Sequence, residues 1–333
     1  MAGIIAGYEL DSRLGAALGA APIARGFHTT SVAGPLAAAL AACIAAGETP
    51  GTMASALGIA ASTSSGLKAF QQGSGGMVKR LHGGLGAANG MLAWQLASRG
   101  FSGPQAAIGG HFGLMAVFGG PESRPAALTD GLGEDWAIRR NWIKVYPCCA
   151  LIHTTIQAVE QIRREQGLHA EEVARVRIGT SERCLIQNGD RDPREPMAAQ
   201  YSIPFNAALA LAGDARDPNA FLPPRLEDPA VRRMLERVEL HLDAEVDAAY
   251  PDRFGTHVAI TTRDGRTVER RVWDAHGTPA DPCTADEIRE KFAKLAGSAI
   301  SHQAAARIVA AVEDVDAAAG PSTLAAAIRS AFD

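Results

Sequence analysis

The chain is poor in aromatic residues and contains no run of basic residues. Phe, Trp and Tyr make up 5% of its 333 residues, whereas Ala and Gly supply much of the apolar content. Small side chains allow helices to approach one another closely, which favours layered helical packing. The net charge of -4 argues against broad nucleic-acid binding, so we expect no nucleic-acid partner.

Cysteine is also scarce, and its spacing is uninformative for metals. The number of cysteines is odd and no Cys-x-x-Cys pair occurs, which argues against a disulfide framework or a zinc site and favours a reducing cytoplasm. The histidines lack the His-Glu-x-x-His spacing, so the sequence indicates neither a metal site nor a cofactor. The five cysteines are Cys43, Cys148, Cys149, Cys184 and Cys283.

Long hydrophobic segments are missing as well. The longest apolar run, residues 35–47, is too short to cross a bilayer, and residues 1–8 have neither a charged n-region nor a cleavage site. We therefore expect a cytoplasmic protein with no membrane partner. No capping residue precedes the first apolar stretch, which fits equally a helix that began upstream and a frayed first helix.

The periodicity of the chain changes part-way along its length. Helical spacing dominates the first 120 residues, and a mixture of helix and strand follows from about residue 144. The predicted fold class is mostly α with an inserted α+β domain: residues 1–135 and 284–333 form a helical domain, and residues 136–283 a smaller α+β domain. The predicted helices are 3–19, 31–46, 50–61, 85–98, 103–108, 151–166, 198–211, 229–237, 285–297, 301–313 and 321–332, and the predicted strands are 173–179, 238–242, 256–262 and 267–273, the last two joined by the Asp264-Gly265 turn.

One local pattern occurs three times. A basic residue stands in a Gly- or Pro-rich loop just ahead of an Ala/Gly-rich helical stretch, in residues 26–30, 73–84 and 144–149. A helix N-terminus carries free N–H groups and a partial positive charge, and a cation in the preceding loop adds to that field. If the three loops converge, they form a pocket for a small molecule with several carboxylates. The basic residues are His28, Lys79 and Lys144.

These motifs, taken together and in order, resemble the MmgE/PrpD family, which includes 2-methylcitrate dehydratase, cis-aconitate decarboxylase and iminodisuccinate epimerase. The resemblance spans essentially the whole chain. It rests on Ala6-Gly7-Tyr8-Glu9 with Arg13-Leu14-Gly15, Gly26-Phe27-His28-Thr29-Thr30, Lys79-Arg80-Leu81-His82-Gly83-Gly84, Arg99-Gly100-Phe101-Ser102-Gly103-Pro104, Lys144-Val145-Tyr146-Pro147-Cys148-Cys149, Gln200-Tyr201-Ser202-Ile203-Pro204-Phe205 and the Asp264-Gly265 hairpin.

The resemblance implies a homodimer of a metal-free enzyme with a lid domain, acting on a small carboxylic acid. By this resemblance His28 is the catalytic acid or base, and Lys79 and Lys144 are catalytic residues that bind substrate carboxylates. His82 supports the second loop and contributes to substrate binding. Tyr201 either reaches the substrate through its hydroxyl or is a buried tyrosine with a backbone partner, and the sequence favours neither.

The implied reaction is that of a 2-methylcitrate dehydratase-like hydro-lyase, which abstracts a proton alpha to a carboxylate of a di- or tricarboxylic acid. Two alternatives stay open: an epimerase or decarboxylase on the same scaffold, and a non-catalytic member of the family. The family pattern also includes an upstream helical segment with an Asp-Asp-Thr-His-type motif, which is missing from this sequence. Three explanations stay open: the sequence is a fragment, its start is misplaced, or it is a shortened family member with altered or lost activity.

Overall fold

The computed structural model describes residues 1–71, 76–316 and 321–332. The described chain divides into two compact units, Met1–Asn141 and Trp142–Asp333. The first is helical, and the second, the longer of the two, combines helices with a small mixed sheet. This confirms a mostly α fold that includes an α+β part. The roles of insert and lid stay predictions.

The first unit is built around one central helix. Its helices are α1 (Ala2–Leu18), α2 (Ala21–Ala24), α3 (Thr29–Ala46), α4 (Pro50–Ala61), α5 (Val78–Ala97) and α6 (Leu114–Phe118), with 3₁₀ turns at Lys68–Gln71, Pro125–Leu128 and Ala137–Arg140. Helix α3 packs against α1, α4 and α5. At Gly90 of α5 a Cβ atom would lie 2.5 Å from the Cβ of Ala38, so small residues do permit close packing here.

Among the described residues, α3 is the one helix that is long and apolar enough to cross a membrane, judged by length and composition alone. It is longer than the apolar run in the sequence because it includes residues 29–34. Its side chains Val32, Leu36 and Ala39 are fully buried among the neighbouring helices, which accounts for its apolar composition.

The second unit carries a four-stranded sheet in the order β2-β1-β3-β4, where β1 is Val173–Thr180, β2 Val238–Leu242, β3 Thr256–Thr262 and β4 Thr267–Val272. Strand β2 runs parallel to β1, and the other pairs are antiparallel. Helix α7 (His153–Gln166) packs on β3 and β4, and α10 (Ile203–Ala212) packs on α7. The remaining helices are α8 (Glu182–Asn188), α9 (Pro196–Tyr201), α11 (Pro229–Leu235), α12 (Ala244–Ala248), α13 (Ala285–Ala296), α14 (His302–Glu313) and α15 (Pro321–Arg329), with 3₁₀ turns at Ala150–Ile152, Ala170–Glu172, Pro218–Phe221 and Arg225–Glu227.

Three helix predictions were wrong in detail. Helix α5 begins at Val78 and not near residue 85. The predicted helix 198–211 is two helices, because the Ser202 side chain accepts a hydrogen bond from the Phe205 backbone N–H at 3.0 Å and begins α10. Residues 103–108 form turns, since the carbonyl of Ala107 accepts a hydrogen bond from Leu114 N–H at 2.8 Å and starts no helix there.

The last three helices group with the second unit. Lys294 on α13 pairs with Asp214 at 3.0 Å, and the Nε2 atom of His276 lies 2.9 Å from Glu287 on the same helix. This grouping differs from the expected assignment of residues 284–333 to the helical domain, an assignment that stays a prediction. Residues 317–320 and 333 of that range lie outside the described residues.

Candidate functional site

His28 is held at the start of α3 by a short pairing with a second chain segment. Its backbone is extended, and its N–H donates to the Gly66 carbonyl at 2.9 Å. Gly66 has a φ of +102°, and a Cβ atom there would lie 2.4 Å from the Cβ of Ser31. Only glycine therefore fits at this position without displacing the first turn of α3. The pairing continues at Lys68, whose backbone N–H donates to the Gly26 carbonyl at 2.8 Å.

His28 and His82 are in direct contact. Their Nδ1 atoms are 2.9 Å apart, and their ring centroids are separated by 5.1 Å. The buried ring of Phe70 meets both imidazoles edge-on, at centroid distances of 5.0 Å from His28 and 5.8 Å from His82. His82 is buried, while His28 is half-buried and its Nε2 atom lies 3.5 Å from the Thr30 hydroxyl.

This contact fixes the proton arrangement of the pair. A hydrogen bond between two Nδ1 atoms needs one protonated and one unprotonated nitrogen, so the tautomer of His82 determines that of His28. When His28 donates through Nδ1, its Nε2 atom carries a lone pair and acts as a base. When His82 donates, His28 carries its proton on Nε2 and acts as a donor.

Burial and nearby positive charge keep His28 neutral. Its pKa is lowered from 6.5 to about 4, chiefly by burial, with the charges of His82, Lys79 and Lys68 contributing in the same direction. A neutral imidazole surrounded by lysines is suited to accept a proton next to a bound anion.

Lys79 lies in the first turn of α5, so its expected place in a loop ahead of the helix was wrong. It is half-buried and stands three residues before His82, on the same face of the helix. Its charge contributes to the lowered pKa of His28, so Lys79 acts on the His28–His82 pair electrostatically. Residues 73–75 of the Gly-rich loop lie outside the described residues.

Lys144 and Tyr201 belong to the second unit. The Lys144 ammonium is exposed and donates to the Cys148 carbonyl at 3.3 Å, so it caps its own loop. Tyr201 is half-buried at the end of α9 and packs against the core of the second unit, and its carbonyl accepts a hydrogen bond from the Asn188 side chain at 2.8 Å. The substrate contacts expected of Lys144 and Tyr201 stay predictions.

Sequence reasoning missed Lys68 and Phe70, which complete the environment of His28. They follow the small-residue stretch that ends at Gly66, and no motif marks them. The signal that could have found them is the pairing of Phe27 with Leu67, which becomes visible only in three dimensions.

Comparison with known proteins decides the family. The MmgE/PrpD N-terminal domain matches residues 1–126, and the MmgE/PrpD C-terminal domain matches residues 146–317. The chain belongs to the MmgE/PrpD family. The resemblance inferred from the sequence motifs is thereby confirmed.

Several members of the MmgE/PrpD family align with most of this chain. The cis-aconitate decarboxylase-like protein oryM of Aspergillus oryzae is 30% identical over 343 residues, which cover 98% of this chain and 70% of that protein. A cis-aconitate decarboxylase of Aspergillus terreus is 29% identical, with coverage of 88% and 63%. The cis-aconitate decarboxylase of Mus musculus is 24% identical over a region that covers 88% of this chain and 60% of that protein. The chain thus spans 60% to 70% of the length of these relatives.

One MmgE/PrpD motif has a structural role in this chain. Glu9 and Arg13 on α1 form a buried ion pair at 2.6 Å. The Arg13 guanidinium also donates to the carbonyls of Asp130 and Asp135, and Glu9 accepts from the Ala137 backbone N–H at 2.6 Å. The motif therefore ties α1 to the connector at residues 127–137.

Proposed function

We propose that this chain carries the catalytic histidine of a lyase that acts on a small di- or tricarboxylic acid by proton transfer beside a carboxylate. The observation that supports this most directly is the 2.9 Å contact between His28 Nδ1 and His82 Nδ1, in the field of two lysines. His28 is the acid or base, His82 positions it and sets its tautomer, and Lys79 binds a substrate carboxylate.

The charges of the cluster suit this chemistry. A carboxylate next to Lys79 is attracted by the ammonium, and the negative charge that develops on an enolate-like intermediate is attracted in the same way. Because His28 is neutral at neutral pH, its Nε2 atom can take a proton from carbon. The N–H of the same imidazole, or of its other tautomer, can return a proton to carbon in a later step.

Two reactions of this class use the same groups differently. In a dehydration, a base removes the proton alpha to a carboxylate and hydroxide leaves from the next carbon. In a decarboxylation, the C–CO₂ bond breaks, the electron pair remains on the substrate carbon framework, and a donor protonates it. The relatives that align with this chain are decarboxylases by name, so we favour decarboxylation. The 2-methylcitrate dehydratase-like reaction and epimerisation are the alternatives.

The test is a proton NMR assay in D₂O with cis-aconitate, citrate, 2-methylcitrate and iminodisuccinate. Loss of one carboxylate with deuterium incorporation supports the decarboxylase, whereas formation of a new double bond with release of water supports the hydro-lyase. Deuterium exchange at the alpha carbon without net conversion, or inversion there, supports the epimerase. A folded chain that neither converts nor exchanges any of the four compounds contradicts the proposal and supports the non-catalytic alternative.

Variants then assign the roles. We expect His28→Gln to lower kcat by about 100- to 10,000-fold, the usual contribution of general acid–base catalysis. Lys79→Met should lower kcat/KM by about 100-fold, while the matched Arg80→Met variant, which removes the exposed neighbouring charge, should stay near the wild type. Equal effects of Lys79→Met and Arg80→Met would contradict a specific role for Lys79.

The remaining expectations from the family resemblance belong to the same proposal. Lys144 and Tyr201 are proposed to contribute to substrate binding, so Lys144→Met and Tyr201→Phe should raise KM more than they lower kcat. A homodimer in the cytoplasm is proposed as the working form. The five free cysteines, four of them buried, are compatible with a reducing compartment.

A further inference from the structure

A cluster of metal-ligating side chains lies outside the site described above, in the segment between β4 and α13. His276, Asp281 and Cys283 belong to the linker, and Glu287 stands in the first turn of α13. One ligand atom each from His276, Cys283 and Glu287 lies within 4.8 Å of the other two.

The imidazole of His276 is held from both sides. Its Nδ1 atom is 3.0 Å from Asp281 Oδ1, and its Nε2 atom is 2.9 Å from Glu287 Oε1. A carboxylate on the far nitrogen of a metal-binding histidine fixes its tautomer and orientation, and Asp281 stands in that position. Nε2 is then the nitrogen that faces Glu287, and it binds a metal ion when the ion replaces the proton it shares with Glu287 Oε1.

Glu287 is also oriented by its own partners. Its Oε2 atom accepts hydrogen bonds from the Thr284 backbone N–H at 2.8 Å and from the Thr284 hydroxyl at 2.9 Å. The bond from the Thr284 N–H, together with the Glu287 N–H that donates to the Thr284 hydroxyl oxygen at 3.2 Å, forms the capping box of α13. With Oε2 held in this way, Oε1 faces His276.

The backbone of the linker is fixed independently of any ion. The His276 N–H donates to the Gln157 side chain at 2.7 Å, and the Gly277 N–H donates to the Asp281 carbonyl at 2.7 Å. Gly277 has a φ of +95°, and a Cβ atom there would lie 1.9 Å from the Ile143 carbonyl oxygen. The ligand-bearing segment is therefore anchored to α7 and to residue 143 of the same unit.

We propose that His276 Nε2, Cys283 Sγ and Glu287 Oε1 bind one Zn²⁺ ion, with Asp281 orienting the histidine and water in the fourth position. Nitrogen, thiolate and carboxylate are the ligand types that zinc takes in proteins. Bonds of about 2.0–2.3 Å in a tetrahedron place ligand atoms about 3.3–3.6 Å apart. The distance between His276 Nε2 and Glu287 Oε1 must therefore increase slightly from 2.9 Å. The other distances between ligand atoms, which are at most 4.8 Å, must shorten to the same range, and side-chain rotation achieves both changes.

The alternative is an ion pair in which His276 bridges two carboxylates and the thiol has no part. The two arrangements differ at Cys283, which only the metal site uses. Cys283 is the partly exposed cysteine, whereas the other four are buried, so a thiol reagent applied to the native protein reports mainly on Cys283.

The experiment uses the full, untagged chain. Zn²⁺ affinity and stoichiometry are measured by competition with a chromophoric chelator, and Co²⁺ serves as a spectroscopic probe of thiolate ligation. We expect one equivalent of Zn²⁺ with a dissociation constant in the micromolar range or tighter, a thiolate-to-Co²⁺ charge-transfer band, and slower reaction of native Cys283 with a disulfide reagent when Zn²⁺ is present. Cys283→Ser should abolish the band.

Matched variants separate ligation from local structure. Glu287→Gln preserves the capping box through its side-chain oxygen and should weaken Zn²⁺ binding at least 10-fold, as should His276→Gln. Glu290→Gln on the same helix and His302→Gln on the next helix should bind as the wild type does. The proposal is overturned if the wild type binds no Zn²⁺ below about 100 µM, if Cys283→Ser leaves affinity and the Co²⁺ spectrum unchanged, or if Glu290→Gln weakens binding as much as Glu287→Gln.

Discussion

The protonation state of His28 is the property on which the proposed chemistry depends most directly. Burial, followed by the charges of His82, Lys79 and Lys68, lowers its pKa to about 4. A histidine with the ordinary pKa of about 6.5 is roughly three-quarters protonated at pH 6, whereas His28 should be about 1% protonated there. The rate of proton transfer should therefore not fall between pH 8 and pH 5.5 through protonation of His28.

Two perturbations should change the pKa of His28 in a known direction. Lys79→Met removes one positive charge, so the pKa of His28 should rise, but it should remain below 6.5 because burial still disfavours the imidazolium. A bound tricarboxylate such as citrate adds negative charge and should raise the pKa in the same sense. Arg80→Met, which changes an exposed neighbouring charge, should have a much smaller effect.

The assay is a pH titration followed by two-dimensional NMR of protein labelled with ¹³C at the histidine ring carbons. The chain has nine histidines, and the His28 signal is identified by its loss in His28→Gln. A midpoint near 6.5 in the wild type would refute the buried, cationic environment described for His28. An unchanged or lower midpoint in Lys79→Met would refute the placement of Lys79 beside it.

Three further predictions concern stability. Glu9→Ala leaves the Arg13 guanidinium buried without its carboxylate, and should lower the free energy of unfolding in urea by about 3–5 kcal/mol. The Glu9→Leu/Arg13→Met double variant should lose less free energy of unfolding than the sum of its two single variants. Additive losses would contradict the buried ion pair. Burial and the charge of Lys144 lower the pKa of His153 to about 4, so the unfolded chain takes up a proton below pH 6.5 while the native chain does not. The free energy of unfolding should therefore fall by about 3 kcal/mol between pH 6.5 and pH 4. His153→Leu should remove that part of the acid sensitivity, and an unchanged pH profile in this variant would disprove the assignment to His153. Gly277→Ala should destabilise the protein by at least about 2 kcal/mol in the same unfolding assay, and a neutral effect would contradict the close approach of residue 277 to Ile143.

Local sequence signals predicted those parts of the fold that depend on nearby residues. The Asp264-Gly265 pair predicted the hairpin of β3 and β4. The breaks at Ser202 and at residues 103–108 escaped prediction. Both depend on hydrogen bonds that compete with helix formation, at Ser202 from its own side chain and at Ala107 from the N–H of Leu114.

The candidate site was predicted in part. His28 and His82 were both identified, but their contact joins the start of α3 to the first turns of α5 across 54 positions of sequence. Lys79 was expected in a loop because Gly-rich residues precede it, yet the helix begins before it. Lys68 and Phe70 carry no motif and enter the site only through the pairing of residues 27 and 67. The proposed zinc ligands and the orienting Asp281 carry no sequence signal, because their spacing, His-x₄-Asp-x-Cys-x₃-Glu, matches no standard metal-binding pattern.

The sequence by itself determined the secondary structure that follows from periodicity and capping, the membership in the MmgE/PrpD family, and the residue types available for acid–base chemistry. These depend on interactions within a few residues or on the order of motifs along the chain. Only the tertiary structure decided which nitrogen of His28 faces His82, and which charges lower its pKa. Those quantities depend on distances between segments far apart in sequence, and electrostatic and hydrogen-bond energies change steeply with such distances.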